Sequence, residues 1–255
     1  MIIASFNANG IRARLEIVLN WLENHSPDVL CLQETKVQDP DFPLKPIEDL
    51  GYYCHYKGQK SYNGVAVISK ARPREVIDGF GDEDHTEDSR LISVAIDGIR
   101  IVNSYVPQGQ QPDSEQFRYK ISWLERLKKF FDSRFDPAQP LVWVGDFNVA
   151  PLPIDVYDPE KLQGSIGYHP LEHQTLQSLM EWGFVDVYRV HNPRKTSYTF
   201  WDYRIPQAVK RGLGWRIDHI WATKNIAAQS TGAWIDVDPR LLPKPSDHTF
   251  IVAEF

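Results

Sequence analysis

Leu141-Val142-Trp143-Val144-Gly145-Asp146-Phe147-Asn148, followed by Val149-Ala150-Pro151, is the stretch on which the reading of this chain turns. Its first four residues are an apolar run rich in β-branched and aromatic side chains, and the run stops at a glycine, as a buried strand closing in a turn does. Asp146 and Asn148 come next. Two residues apart on extended backbone, they point the same way, at the kind of strand end where layered α/β folds gather their reacting groups. A carboxylate and a neutral amide together can polarise a water and hold an oxyanion. Equally, Asp and Asn cap turns by bonding their own backbone. Polar residues standing at the ends of other apolar runs favour the chemical reading.

Ile2-Ile3-Ala4-Ser5-Phe6 is a short apolar strand, with Asn7, Asn9 and Gly10 where it ends. From Ile11 the apolar positions Leu15, Val18, Leu19 and Leu22 fall at helical spacing to about His25, and Pro27 marks the stop. Residues 28–32 then read as a second buried strand, with Gln33-Glu34-Thr35-Lys36 at its end. If the two strands are parallel, Asn7 and Glu34 occupy corresponding positions, and a carboxylate beside an amide suits a hard divalent cation that keeps its waters. The plain alternative for Glu34 is a surface charge paired with Lys36.

Residues 64–69, 91–96 and 99–106 read as further strands, the last two joined at Asp97-Gly98 in a hairpin. The acidic run from Asp82 to Asp88 reads as a solvated loop that repels phosphate. Tyr105 stands at a strand end before Pro107. It is either a core aromatic with a wet hydroxyl or a hydroxyl aimed at a phosphate or an attacking water. A helix is expected over 114–135, with Arg118, Lys120, Arg126, Lys128 and Lys129 as its solvated face. A second is expected over 171–182. His169 and His173 are four apart, but Pro170 between them and the want of a third ligand argue against a metal pair.

The last third is rich in aromatics, Thr196-Ser197-Tyr198-Thr199-Phe200-Trp201-Asp202-Tyr203, and then basic, with Arg204, Lys210 and Arg211. Trp215-Arg216-Ile217-Asp218-His219 follows, and Asp218 inside an apolar run needs a partner if it is buried. His248, in Ser246-Asp247-His248 ahead of a last strand over 249–255, is the natural one. A buried carboxylate would orient its imidazole and keep it basic, a pairing found in ordinary cores as well as in catalysis.

Composition sets the limits. At 255 residues and 42% hydrophobic content, with no linker or low-complexity segment, one domain over 1–255 is expected. A net charge of −6 argues against indiscriminate binding of polyanions, so any nucleic-acid contact must be a local basic face or be bridged by a cation. Two cysteines, Cys31 and Cys54, make neither a disulfide framework nor a metal motif, and a reducing compartment fits. No signal peptide or membrane-spanning stretch is evident, so the expectation is a cytoplasmic protein with no membrane partner.

Read together, Asn7-x-Asn9-Gly10-x-Arg12, Gln33-Glu34-Thr35-Lys36, Tyr105-x-Pro107-x-Gly109, Gly145-Asp146-x-Asn148, Trp215-Arg216-Ile217-Asp218 and Ser246-Asp247-His248 resemble the exonuclease III family of apurinic/apyrimidinic endonucleases, within the endonuclease/exonuclease/phosphatase superfamily. The match runs in order from Asn7 to His248. Gly-Asp-x-Asn and Ser-Asp-His are common to the superfamily and imply only metal-assisted phosphoester hydrolysis; Gln-Glu-Thr-Lys, Tyr-x-Pro-x-Gly and Thr-Phe-Trp followed by Arg-Ile-Asp narrow it to DNA repair. The resemblance implies a four-layer α/β sandwich, two mixed sheets face to face with helices outside. It implies Mg²⁺, with Mn²⁺ able to substitute, held by Glu34 with Asn7 and Asp247 nearby. Asp146 would position or deprotonate the attacking water, and Asn148 would hold the water or a non-bridging oxygen. His248, oriented by Asp218, would donate to a phosphate oxygen, and Tyr105 would contact phosphate or help with the proton.

The same resemblance implies a monomer that acts on double-stranded DNA with abasic sites or blocked 3′ ends, cutting 5′ to the abasic site, with 3′→5′ exonuclease and 3′-end-trimming (3′-phosphatase/phosphodiesterase) activity. A flipped abasic sugar would enter a pocket of Phe200, Trp215 and Ile217; core residues beneath the sheet edge are the alternative for those three. Asn9, Arg12, Lys36, Lys57, Lys60, Arg90, Gln108, Lys210 and Arg211 are candidates for backbone contact, each otherwise a surface polar group. Position 9 is Asn where some members carry Asp, and Gln108 stands where others have Asn, which leans toward the bacterial branch; Gly214-Trp215 is similar to the eukaryotic enzymes. A phosphoesterase for a small ester or lipid headgroup, and a catalytically silent nucleic-acid-binding module, are the alternatives.

Overall fold

The computed structural model describes residues 1–81 and 89–255, so the acidic run at 82–88 lies outside the described residues. Among the described residues the apolar runs assemble into two six-stranded sheets. In spatial order the first holds β11 (Gly232–Asp236), β12 (Phe250–Glu254), β1 (Ile2–Asn7), β2 (Val29–Gln33), β4 (Val65–Ser69) and β3 (Tyr53–Lys57). The second holds β5 (Arg74–Asp78), β6 (Leu91–Ile96), β7 (Ile99–Tyr105), β8 (Leu141–Asp146), β10 (Asp218–Thr223) and β9 (Phe184–Asp186). Each is mixed: β1 runs parallel to β2, and β7 parallel to β8. Parallel neighbours need a crossover, supplied here by the helices Ile11–His25 and Glu115–Arg134.

The unbroken apolar run of β8 follows from its burial on both faces. Val142 and Val144 enter the core between the sheets with Ile3, Cys31, Val67, Ile101 and Ile251. Leu141 and Trp143 point the other way, against Leu127 and Phe131 of Glu115–Arg134 and Leu176 and Leu179 of Pro170–Trp182. Phe6, Leu30, Leu32 and Val252 do the same on the first sheet, meeting Val18, Trp21 and Leu22 of Ile11–His25. Helix, sheet, sheet, helix is the four-layer sandwich expected. Trp143, fully buried, stacks on Phe147 at 3.7 Å between ring centroids and donates to Ser104 Oγ at 2.8 Å. Its truncation to alanine would cost about 3–5 kcal/mol.

Some readings need correction. β3 and β5 are edge strands with half-exposed or exposed side chains, so no apolar run announced them. Lys120 does not lie on a solvated face: it is fully buried, because its side of the helix turns toward the loops leaving β7 and β8. His169 is the N-cap of Pro170–Trp182, its Nδ1 accepting from Leu171 N at 3.2 Å, and His173 Nε2 meets the carbonyl of Ala150 at 2.9 Å. Both rings serve structure.

Candidate active site

Strand direction gathers the site. β1 and β8 end at Asn7 and Asp146, and these two side chains touch across the sheets, Asn7 Nδ2 donating to Asp146 Oδ2 at 2.8 Å. β10 is antiparallel to β8, so its first residue, Asp218, pairs with Asp146 at the same rim. β12 is antiparallel to β1, which places the preceding Ser246-Asp247-His248 there too. Tyr105, the last residue of β7, stands in register with Asp146.

Asn7 Nδ2 also donates to Glu34 Oε1 at 2.8 Å, so one amide ties the carboxylates of two sheets together. Lys36 Nζ lies 2.6 Å from Glu34 Oε2 and donates to Asn9 Oδ1 at 2.5 Å. Asn9 Nδ2 in turn donates to Asp247 Oδ1 at 2.9 Å. Glu34 is therefore paired with Lys36 and part of the rim at once. Asp146 accepts from the backbone N–H of Asn148 at 2.8 Å, and Asn148 Nδ2 donates to Val106 O at 2.9 Å and to Asp146 Oδ2 at 3.2 Å. His248 Nδ1 meets Asp218 Oδ2 at 2.8 Å, leaving Nε2 3.8 Å from Asp146 Oδ2.

The backbone here is strained. Asn9, Glu34, Lys36 and Asn148 have φ of 45°, 49°, 53° and 51°, in the left-handed region where a non-glycine residue costs on the order of 1–3 kcal/mol and persists only when its surroundings hold it. Gly145 has φ 138°, and a Cβ there would fall 2.0 Å from the carbonyl of Ser104. Only glycine lets β8 pass β7 so closely just before Asp146.

Burial and neighbours set the charges. Burial would push the Glu34 carboxyl up, but Lys36, then Asn7 and His248, hold it below the ordinary range, so it is an anion. Asp146, fully buried, is pushed up, by burial first and then by the Asp218 and Glu34 carboxylates, with His248 opposing. For His248 burial works against the charged ring, yet Asp218 and Asp146 more than offset it and raise its proton affinity. His248 is thus an imidazolium at neutral pH. Burial, then Glu34 and Asp146, hold the Tyr105 phenol well above its usual value, so Tyr105 is a neutral hydroxyl, with Arg90 stacked 4.7 Å over its ring.

Glu34, Asp146 and His248 each offer an atom within 4.8 Å of the other two, a group that can hold a metal ion. The donors fit a hard cation: Glu34 presents an anionic oxygen and Asp146 a second carboxylate oxygen within reach of it. His248, holding its proton, is a donor and not a ligand. Asn7 lies against both carboxylates, whereas Asp247 lines the cleft with its carboxylate engaged by Asn9.

A cleft of about 750 Å³ opens on this rim, lined by Glu34, Tyr105, Asn148, Asp247 and His248. Phe200, Trp215 and Ile217 line it too, Phe200 with its ring 4.9 Å from that of His248, and the three pack against Ala150, Val156 and Tyr168. These three are thus both wall and core. Of the remaining polar candidates, Gln108 is exposed on the cleft wall, and Arg12, Lys60, Lys210 and Arg211 are exposed on the surface. Lys57 is half-buried on β3.

Three buried polar groups behind the rim escaped the sequence reading. Gln33 Nε2 donates to Asn103 Oδ1 at 2.8 Å between the sheets. Arg216, fully buried, bonds Asp155 at 2.7 and 3.0 Å, Asp186 at 2.7 Å and His219 Nδ1 at 3.0 Å. Lys120 is paired with buried Glu172. A polar residue inside an apolar run, Asn103 after Ile101-Val102 and Arg216 before Ile217, was the one available signal. Among the described residues no helix is long and apolar enough to cross a membrane.

The chain resembles known proteins over nearly its whole length. The family model described as Endonuclease/Exonuclease/phosphatase family matches residues 4–248. Exodeoxyribonuclease III of Haemophilus influenzae is 33% identical over 263 residues, covering 98% of each chain. The structure of an AP endonuclease from Archaeoglobus fulgidus superposes with a TM-score of 0.97 at 44% identity, over 100% of this chain and 99% of that one. A Neisseria 3′ phosphatase solved with a product DNA hairpin superposes with a TM-score of 0.96 at 37% identity, over 100% and 99% of the two chains. With the strand-end carboxylates, the Asp218–His248 pair and these likenesses in hand, the chain belongs to the endonuclease/exonuclease/phosphatase family, among its exodeoxyribonuclease III and AP endonuclease members.

Proposed function

We propose that this chain is a Mg²⁺-dependent DNA-repair phosphodiesterase that cuts duplex DNA 5′ to abasic sites and trims blocked 3′ ends. The observation that carries the reading is the meeting of Glu34, Asp146 and His248 at one rim from segments spread over the whole sequence. It acts as a single domain, monomeric and cytoplasmic, and Mn²⁺ substitutes for Mg²⁺.

Glu34 would hold the cation, with Asn7 beside it and Asp247 on the same cleft, and Asp146 would offer a second carboxylate oxygen. When bound, the cation neutralises charge developing on the phosphate and the leaving oxygen. Asp146 positions the attacking water and takes its proton; burial, by raising its proton affinity, suits it to that task. Asn148 holds the water or a non-bridging oxygen. His248, kept charged by Asp218, donates from Nε2 to a phosphate oxygen, and the neutral Tyr105 hydroxyl donates to another. Phe200, Trp215 and Ile217 receive the extruded abasic sugar, which leaves the helix at little stacking cost because its base is gone. Lys36, Asn9, Gln108 and Arg90 near the cleft, with Arg12, Lys57, Lys60, Lys210 and Arg211 farther out, contact the DNA backbone.

The test is a labelled duplex with one abasic site, incubated with Mg²⁺ and then with chelator. Cutting 5′ to the site that stops on chelation is expected. Cutting that survives chelation would contradict the metal assignment, and tight binding without cutting would make the protein a silent binding module.

A further inference from the structure

Behind the cleft floor, the fully buried ammonium of Lys120 donates to the carbonyl of Asn148 at 2.7 Å, to the carbonyl of Gln108 at 3.3 Å and to Glu172 Oε1. Glu172, also fully buried, spends its remaining capacity on the same region: Oε1 accepts from Gly167 N at 3.1 Å and Oε2 from His169 N at 3.0 Å. Gln108, Asn148 and Gly167 all line the cleft. One ion pair, carried on two outer-layer helices, thus fastens the loops leaving β7 and β8 and the chain ahead of Pro170–Trp182.

A pair so dry is a poor source of net stability, since the desolvation of both ions offsets their attraction. Its geometry has another use. Asn148 sits at φ 51°, a conformation its own chain disfavours, and its side chain must keep Nδ2 on Val106 O and Asp146. Lys120 grips Asn148 from the carbonyl side, so the backbone cannot relax to a commoner φ and swing the amide out of the cleft. A lysine meets the demand because three donors on one nitrogen can serve three acceptors at once.

We propose that Lys120, held by Glu172, is a positioning residue: it locks the left-handed backbone of Asn148, and through it the amide that lines the cleft beside Asp146. The inference rests on the hydrolytic reading above. The pair touches no reacting atom and acts on turnover through Asn148.

The test is a double-mutant cycle in the Mg²⁺-dependent incision assay, following kcat and KM. Lys120→Met is expected to lower kcat on the order of tenfold, with KM changed by less than about twofold. In an Asn148→Ala background the same substitution is expected to change kcat by less than about twofold, because the group it positions is gone. Equal losses in both backgrounds, or an unchanged kcat in Lys120→Met, would overturn the inference and leave the pair a structural one. If Lys120→Met does not fold, Glu172→Gln, which keeps the shape and removes the partner charge, takes its place in the cycle with the same expectations. An unaltered protein that fails to cut would overturn the hydrolytic reading itself, and the positioning role with it.

Discussion

His248 Nε2 lies 3.8 Å from Asp146 Oδ2, while its other ring nitrogen is held 2.8 Å from Asp218. The ring therefore stands between two buried carboxylates with one N–H committed and the other directed to the rim. Burial alone would discharge it, and the carboxylates win.

Asp146→Ala is expected to lower kcat by orders of magnitude with a melting temperature close to that of the parent. The sign follows from burial. A carboxyl whose folded proton affinity is raised contributes stability below its ordinary pKa of 3.8 and loses it as pH rises through the folded value, so at neutral pH the ionised group opposes the fold. Removing it offsets the hydrogen bonds lost to Asn7 and Asn148. A large fall in melting temperature would make Asp146 a structural residue.

Asp218→Asn removes the charge that keeps His248 protonated. The alkaline limb of the kcat/KM profile is expected to move down in pH, toward the ordinary imidazole pKa of about 6.5. A full pH–rate profile of both proteins measures it, and an alkaline limb that stays in place would remove His248 from the reaction.

The apolar wall supplies a test of selectivity. Trp215→Ala is expected to raise KM for abasic duplex on the order of tenfold, since burial of a large side chain's surface is worth about 1.5–3 kcal/mol, and to affect trimming of an ordinary 3′ end less. Parallel assays on the two substrates decide it. Equal loss on both would assign Trp215 to the core alone.

Away from the rim, His219 should govern stability in mild acid. Arginine cannot accept a hydrogen bond, so His219 Nδ1 accepts from Arg216 and Nε2–H donates to Val149 O. Burial, then Arg216, lowers its pKa from 6.5 to about 4. A depressed folded value contributes stability above 6.5 that is lost as pH falls toward 4, on the order of 3 kcal/mol. Urea unfolding at several pH values across that window should show the loss, and His219→Gln should flatten it.

Most of the architecture was legible because strands buried on both faces read as unbroken apolar runs, and helix Ile11–His25 repeats at helical spacing. Asp146, Asn148, Glu34, Tyr105 and His248 were visible as polar residues at the ends of such runs. What joins them was not. Asn7 bridges Glu34 and Asp146 across a sequence separation of 139 residues to the latter, and only the packing of one sheet on the other brings them together. Lys120 misled because helical spacing tells which residues share a face and not what that face meets. The edge strands β3 and β5 were missed because their half-exposed or exposed side chains leave no continuous apolar run.

Metal binding at Glu34 tests the central claim most directly. Titration of Mn²⁺ followed by electron paramagnetic resonance should show one site in the parent protein, weakened by at least about tenfold in Glu34→Ala, because the ionised carboxylate is the chief hard ligand. Unchanged Mn²⁺ affinity in that variant, with its fold intact by circular dichroism, would contradict the account, since the carboxylates at the rim would then not be gathered around a cation.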